Sequence, residues 1–166
     1  MNPTILIDGY NLLYGAGIVG AGMDAGTLQG ARKALLGWLL YSLPEDDRER
    51  TIVVFDAQHP PPGRPSQFDH HGMAVHFSRD HESADALLEE YIAANDAPRQ
   101  LIVVSSDHRV QRAASRRRAT AIDSDTWYHQ VNQQAGPSAD QEAHKPDAPL
   151  NEVQVEQWMK FFGENE

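Results

Sequence analysis

Three aspartates in this sequence stand at or just past the end of short apolar runs: Asp8 after Ile5-Leu6-Ile7, Asp56 after Thr51-Ile52-Val53-Val54-Phe55, and Asp107 after Leu101-Ile102-Val103-Val104-Ser105-Ser106. In an open parallel α/β sheet, a residue at the C-terminal end of a central strand faces the crevice where ligands bind. If the strands are neighbours, the three carboxylates emerge at one edge, within reach of a common ion. Asp85 completes the candidate set, being expected in the first turn of a helix on the face it shares with Leu88 and Ile92. Mg²⁺ suits such a group, because it takes a few carboxylates together with water and phosphate oxygens. The chemistry implied is phosphodiester hydrolysis, with a metal-activated water attacking phosphorus in line.

Asn11 and Ser106 stand beside these acids and are expected to donate hydrogen bonds to a scissile phosphate or a metal-bound water. Arg109, Arg112, Arg116, Arg117 and Arg118 follow Asp107 and form a candidate track for the nucleic-acid backbone. Each feature also has a plain structural account. Aspartate caps helices, acidic residues favour first turns, and arginines favour helix C-termini. For one residue the accounts are level, and the coincidence of three strand-end aspartates favours chemistry. The eight histidines are scattered, and His70-His71 lacks the i, i+4 spacing of a helical zinc pair.

The elements that must position these residues are legible from periodicity. Leu28, Ala31, Leu35, Leu36, Leu39 and Leu43 recur at helical spacing over about 27–43, and Pro44 ends the run. A third strand is expected at Met73 to Phe77. Ser83 then caps a helix carrying Ala84, Leu87, Leu88, Tyr91 and Ile92 inward. A short helix at about 108–117 and a weak strand at Thr120 to Ile122 follow, and Trp127, Tyr128 and Val131 begin a last packed turn. The alternation predicts a three-layer α/β fold, a parallel sheet with right-handed crossovers flanked by helices. The predicted domain covers 1–131. A polar, proline-bearing linker covers 132–149, and 150–166 form an amphipathic tail helix with Val155, Trp158, Met159 and Phe162, which docks in cis or binds a protein partner.

Composition sets limits. A chain of 166 residues holds one core of ordinary size. The formal charge of −10 argues against a protein that coats nucleic acid by neutralising phosphates, though not against a nuclease with a local basic patch. With no cysteine there is no disulfide framework or thiolate metal site. The N-terminus carries no basic leader or long apolar segment, so a cytoplasmic protein with no membrane association is expected. Gly15-Ala16-Gly17-Ile18-Val19-Gly20 matches a dinucleotide-binding pattern, but it neither follows a strand directly nor opens an evident helix.

Ile7-Asp8-Gly9-Tyr10-Asn11, Val54-Phe55-Asp56-Ala57, Ala84-Asp85 with Glu89, and Val104-Ser105-Ser106-Asp107 together resemble the YacP-like ribonucleases, in the NYN branch of the PIN-like nucleases. The resemblance spans about 4–131 and implies a Rossmann-like PIN sheet and Mg²⁺- or Mn²⁺-dependent RNA cleavage, expected to be endonucleolytic. RNA is the implied partner, with mRNA on the ribosome among its forms. By the same resemblance Asp8, Asp56, Asp85 and Asp107 match the family acids and Asn11 the family asparagine. Ala86 stands where many relatives carry a second acid, and Ser105 replaces a threonine. The rival reading is a non-catalytic RNA- or ribosome-binding module on the same fold. A phosphoacceptor or phosphatase is less favoured, because no lysine lies between Lys33 and Lys145.

Overall fold

β-Branched and leucine-rich runs that alternate between two covered faces build the centre of a six-stranded sheet. The computed structural model describes residues 3–17, 25–56, 65–79 and 81–134, with side chains in the second helix described from position 29. The strands are β1 (Ile5–Asp8), β2 (Thr51–Phe55), β3 (Gln67–His70), β4 (Met73–Phe77), β5 (Ile102–Val104) and β6 (Thr120–Ile122). The helices are α1 (Gly9–Gly15), α2 (Ala25–Ser42), α3 (Glu45–Arg48), α4 (Ala84–Ala94), α5 (His108–Arg116) and α6 (Ser124–Gln134).

The strand order is β3-β4-β2-β1-β5-β6. All neighbours are parallel except β3, which pairs antiparallel with β4. The sheet is therefore mixed, where the sequence predicts a parallel one. The added strand is an edge hairpin closed at His71-Gly72, whose φ values of 52° and 94° suit a tight two-residue turn. The chain winds from β1 outward through β2 and β4, then crosses back to place β5 on the other side of β1. The reversal lies between β1 and β5, where a crevice opens beyond the strand ends.

Successive side chains of β1 enter different cores. Ile5 and Ile7 face the first core with Phe55, Phe77, Leu12, Leu13, Leu35, Leu39 and Trp127, beneath α1, α2 and α6. Leu6 faces the second with Val54, Leu88, Ile92, Val110 and Ala114, beneath α4 and α5. Ser83 caps α4 as expected, its hydroxyl accepting from the Ala86 N–H at 3.2 Å. The segment expected as a packed turn is the full helix α6, pinned to α2 by Trp38 Nε1 donating to Asn132 Oδ1 at 3.1 Å and by contact of Trp38 with the Trp127 and Tyr128 rings. Most of the glycine-rich loop and of the proline-rich loop, most of the expected linker and all of the tail helix lie outside the described residues. Among the described residues no helix is long and apolar enough to cross a membrane.

Candidate active site

The turn from β1 into α1 brings Asp8 and Asn11 to the crevice. Gly9 makes that turn possible: a Cβ there would lie 2.4 Å from Phe55 Cε1. The Phe55 ring has nowhere to go, being fully buried against Tyr10 and Phe77, with centroids 5.2 and 5.9 Å away. Gly9→Ala is accordingly expected to destabilise the domain by about 1–3 kcal/mol, as overpacking does. Urea denaturation reads this directly, and an unchanged midpoint would mean the ring has room to yield.

Asp8 occupies the cap position of α1, yet its side chain makes no capping hydrogen bond. It is only 6% exposed, and its partner is the buried Ser105 hydroxyl, which donates to Asp8 Oδ2 at 3.0 Å. Ser105 Oγ also accepts from the Asp107 N–H at 3.1 Å, tying the ends of β1 and β5 together. Asp107 does cap: its Oδ1 accepts from the N–H groups of Arg109 and Val110 at 2.8 and 3.3 Å. Asp85 sits in the first turn of α4. Asp56 follows β2 directly and is half-buried.

Asn11 Oδ1 accepts twice, from the Ser106 N–H at 2.7 Å and the Ser124 hydroxyl at 2.7 Å. The backbone donor fixes the amide orientation and leaves Nδ2 as its donor end. Ser106 Oγ accepts from the Ser124 N–H at 3.0 Å, so α6 locks this corner. Arg109 forms a two-pronged pair with Glu89, Nε to Oε1 at 2.9 Å and Nη2 to Oε2 at 3.1 Å, bridging α5 and α4. On the other side Arg32, 5% exposed, donates from Nη1 to the Tyr10 hydroxyl at 2.6 Å and lies over the Phe77 ring.

The carboxylates act on one another. Burial pushes the Asp8 carboxyl up to about 7; the Ser105 hydrogen bond and the Asn11 backbone amide pull it down, and the Asp85 and Asp107 charges add to the rise. Asp85 is also raised, by burial first and then by Asp107, with Glu89 and Asp56 adding to the rise and Arg109 opposing it. Among the described residues, however, no three acidic or histidine side chains stand ready to hold one ion. The acids share an edge and a field without forming a closed cage. That still fits Mg²⁺ or Mn²⁺: the donors are hard oxygens, Mg²⁺ keeps several waters, and a cation relieves repulsion between like charges.

Of the five arginines expected to track phosphate, Arg109 stands at the site, and exposed Arg112 lies one turn along α5. Arg116, Arg117 and Arg118 do not join them. A helix advances about 1.5 Å per residue, so α5 carries its C-terminus to the opposite end of the sheet. There Arg117 Nη2 donates to the Asn95 carbonyl at 2.9 Å, and Asn95 Nδ2 in turn donates to the Pro3 carbonyl at 3.0 Å, before β1 begins. The sequence reading passes over Asp123, Gln111 and Ser124. Asp123 directly follows β6, so the strand-end rule applied to Asp8 also finds it. Gln111 Nε2 ties it to the site, donating to Asp123 Oδ1 at 2.8 Å and to the Ser105 carbonyl at 2.9 Å. Ser124 carries no signal in sequence, because its role depends on α6 reaching Asn11.

The family model for the YacP-like NYN domain matches residues 5–162. The chain belongs to that family. Two solved structures are similar to this NYN domain. The crystal structure of Rae1 (YacP) from Bacillus subtilis is 23% identical, with a TM-score of 0.57, over 86% of this chain and 80% of that one. A tryptophan-to-leucine variant of the same protein is 24% identical, with a TM-score of 0.56, over 95% and 91%. At these identities the likeness establishes the fold. No curated protein matches the chain. Membership in a branch of the PIN-like nucleases supports a nuclease or RNA-related role for this NYN domain.

Proposed function

We infer that this NYN domain is a Mg²⁺- or Mn²⁺-dependent ribonuclease that hydrolyses internal phosphodiester bonds of RNA. The observation that carries this reading is Asp8. A buried carboxylate normally caps a helix or pairs with a cation. Among the described residues Asp8 pairs with no cation, and burial together with the nearby Asp85 and Asp107 charges makes its carboxylate costly to ionise despite the Ser105 hydroxyl and the Asn11 amide. Such a cost is expected where a bound cation offsets it.

Asp8, Asp56, Asp85 and Asp107 would hold the cation, which when bound acidifies a water and stabilises charge on the phosphate. The protein's own groups do the positioning. Ser105 fixes the Asp8 rotamer and aligns Asp107 with it. Asn11 Nδ2 and the Ser106 hydroxyl would serve as neutral donors to phosphate oxygens, and Ser124 holds both residues in place. Glu89 keeps the Arg109 guanidinium beside the acids.

Metal binding has a readout apart from activity. Mg²⁺ or Mn²⁺ should raise the thermal midpoint of the wild-type protein and leave that of Asp8→Asn nearly unmoved, because a ligand stabilises only the state that binds it. Equal shifts in both proteins would detach the metal from Asp8.

A further inference from the structure

If the chain grips RNA, charge alone is poorly placed to do it. The net charge is −10, Arg109 is already paired with Glu89, and Arg116 to Arg118 lie at the far end of the sheet. A stacking surface is available on the helix whose cap position Asp8 occupies. Among the described residues the exposed large hydrophobic side chains are Tyr14, 53% exposed, and Tyr41, 61% exposed. Tyr41 lies near the end of α2, at the edge of the sheet away from the crevice. Tyr14 lies on α1, the helix that Asp8 opens and that carries Asn11.

Tyr14 follows Tyr10 by four residues, so the two rings share a face of α1, one above the other. Tyr10 is the fixed member, its hydroxyl held by Arg32 and its ring edge-on to Phe55. It lies within electrostatic reach of both Asp56 and Tyr14. α1 thus starts just after Asp8, carries Asn11 and the anchored Tyr10 ring, and ends with the exposed Tyr14 beside Gly15, which packs against Ser124, the partner of Asn11.

Resting on the ribonuclease reading above, we propose that Tyr14 is a stacking platform for an unpaired base next to the scissile phosphate, so that this site selects single-stranded RNA. Stacking on an aromatic ring tolerates any base, needs that base free of its pairing partner, and adds affinity that salt does not screen. It supplies a grip that an acidic protein can use without neutralising many phosphates.

The test is fluorescence anisotropy of a labelled unstructured RNA and a labelled duplex of matching sequence, in the Asp8→Asn background to suppress cleavage. Tyr14→Ala should weaken single-strand binding about 5- to 100-fold, a factor unchanged between low and moderate salt, and leave duplex binding unaltered. Tyr14→Phe and Tyr14→Trp should retain it, and Tyr41→Ala should match the parent. Equal single-strand affinity after Tyr14→Ala, equal loss for single strand and duplex, or loss in Tyr14→Phe as deep as in Tyr14→Ala would each overturn the proposal. In all three cases RNA cleavage by the wild-type protein would leave the ribonuclease reading standing. Binding of no RNA by any of these proteins would overturn both.

Discussion

Asp8→Asn should make the metal-free protein more stable at pH 8, by about 2 kcal/mol, and the gain should vanish by about pH 4. The sign follows from proton linkage. Asp8 is raised from 3.8 to about 7 in the folded protein, burial being the main cause, so between these pH values the folded state binds more protons than the unfolded. Stability from this group is therefore present below its unfolded value and is lost as pH rises through the folded one. The full shift corresponds to about 4 kcal/mol at most. Asparagine recovers part of it, because its oxygen still accepts from Ser105 while its amide must find a partner in a buried place. For a domain of this size the gain is about 4–8 °C in thermal midpoint. A loss of stability at pH 8 in the presence of EDTA would show that the Asp8 charge supports the fold, and would remove the strain on which the metal site is argued.

Asp107 allows its structural and chemical roles to be separated. Its Oδ1 caps α5, and asparagine caps a helix about as well as aspartate. Asp107→Asn should therefore keep the stability of the wild type to within about 0.5 kcal/mol, whereas Asp107→Ala should lose about 0.5–2 kcal/mol with the cap. Both should lower RNA cleavage about a hundredfold or more, since a lost metal ligand forfeits several kcal/mol of transition-state stabilisation. Denaturation curves and cleavage rates on the same preparations decide it. A fully active Asp107→Asn would leave Asp107 a helix cap and nothing else.

The central strands were legible because parallel strands covered on both faces read as continuous apolar runs, and β1, β2 and β5 end where those runs end. The strong stripes of α2 and α4 were legible from apolar residues recurring at helical spacing. What escaped was held by tertiary context. α1 is seven residues long, bounded by Gly9 and Gly15, and is held by burying Leu12 and Leu13, so no local propensity announces it. β3 is the edge sequence Gln67-Phe68-Asp69-His70, with no apolar run to mark it. α6 buries mainly Trp127 and Val131, four residues apart, which read as a single turn.

The candidate site divides in the same way. Asp8, Asp56 and Asp107 could be named because strand ends are visible in sequence. Ser105 stands in the family motif, but its bond to Asp8 and the part of Ser124 could not be read, because the partners lie 97 and 113 residues away. Arg116 to Arg118 stand away from Asp107 because nearness in sequence to it is not nearness in space once a helix intervenes. The axial rise of α5 alone carries Arg116 to Arg118 away from the crevice.

The most direct measurement is cleavage of a mixed pool of single-stranded and structured RNA by the purified protein with Mg²⁺, Mn²⁺ or EDTA, run beside Asp8→Asn. The account predicts internal cuts that appear with the metal, disappear with EDTA and are lost in the variant. Cutting by Asp8→Asn at the wild-type rate, or cutting undiminished in EDTA, would contradict it.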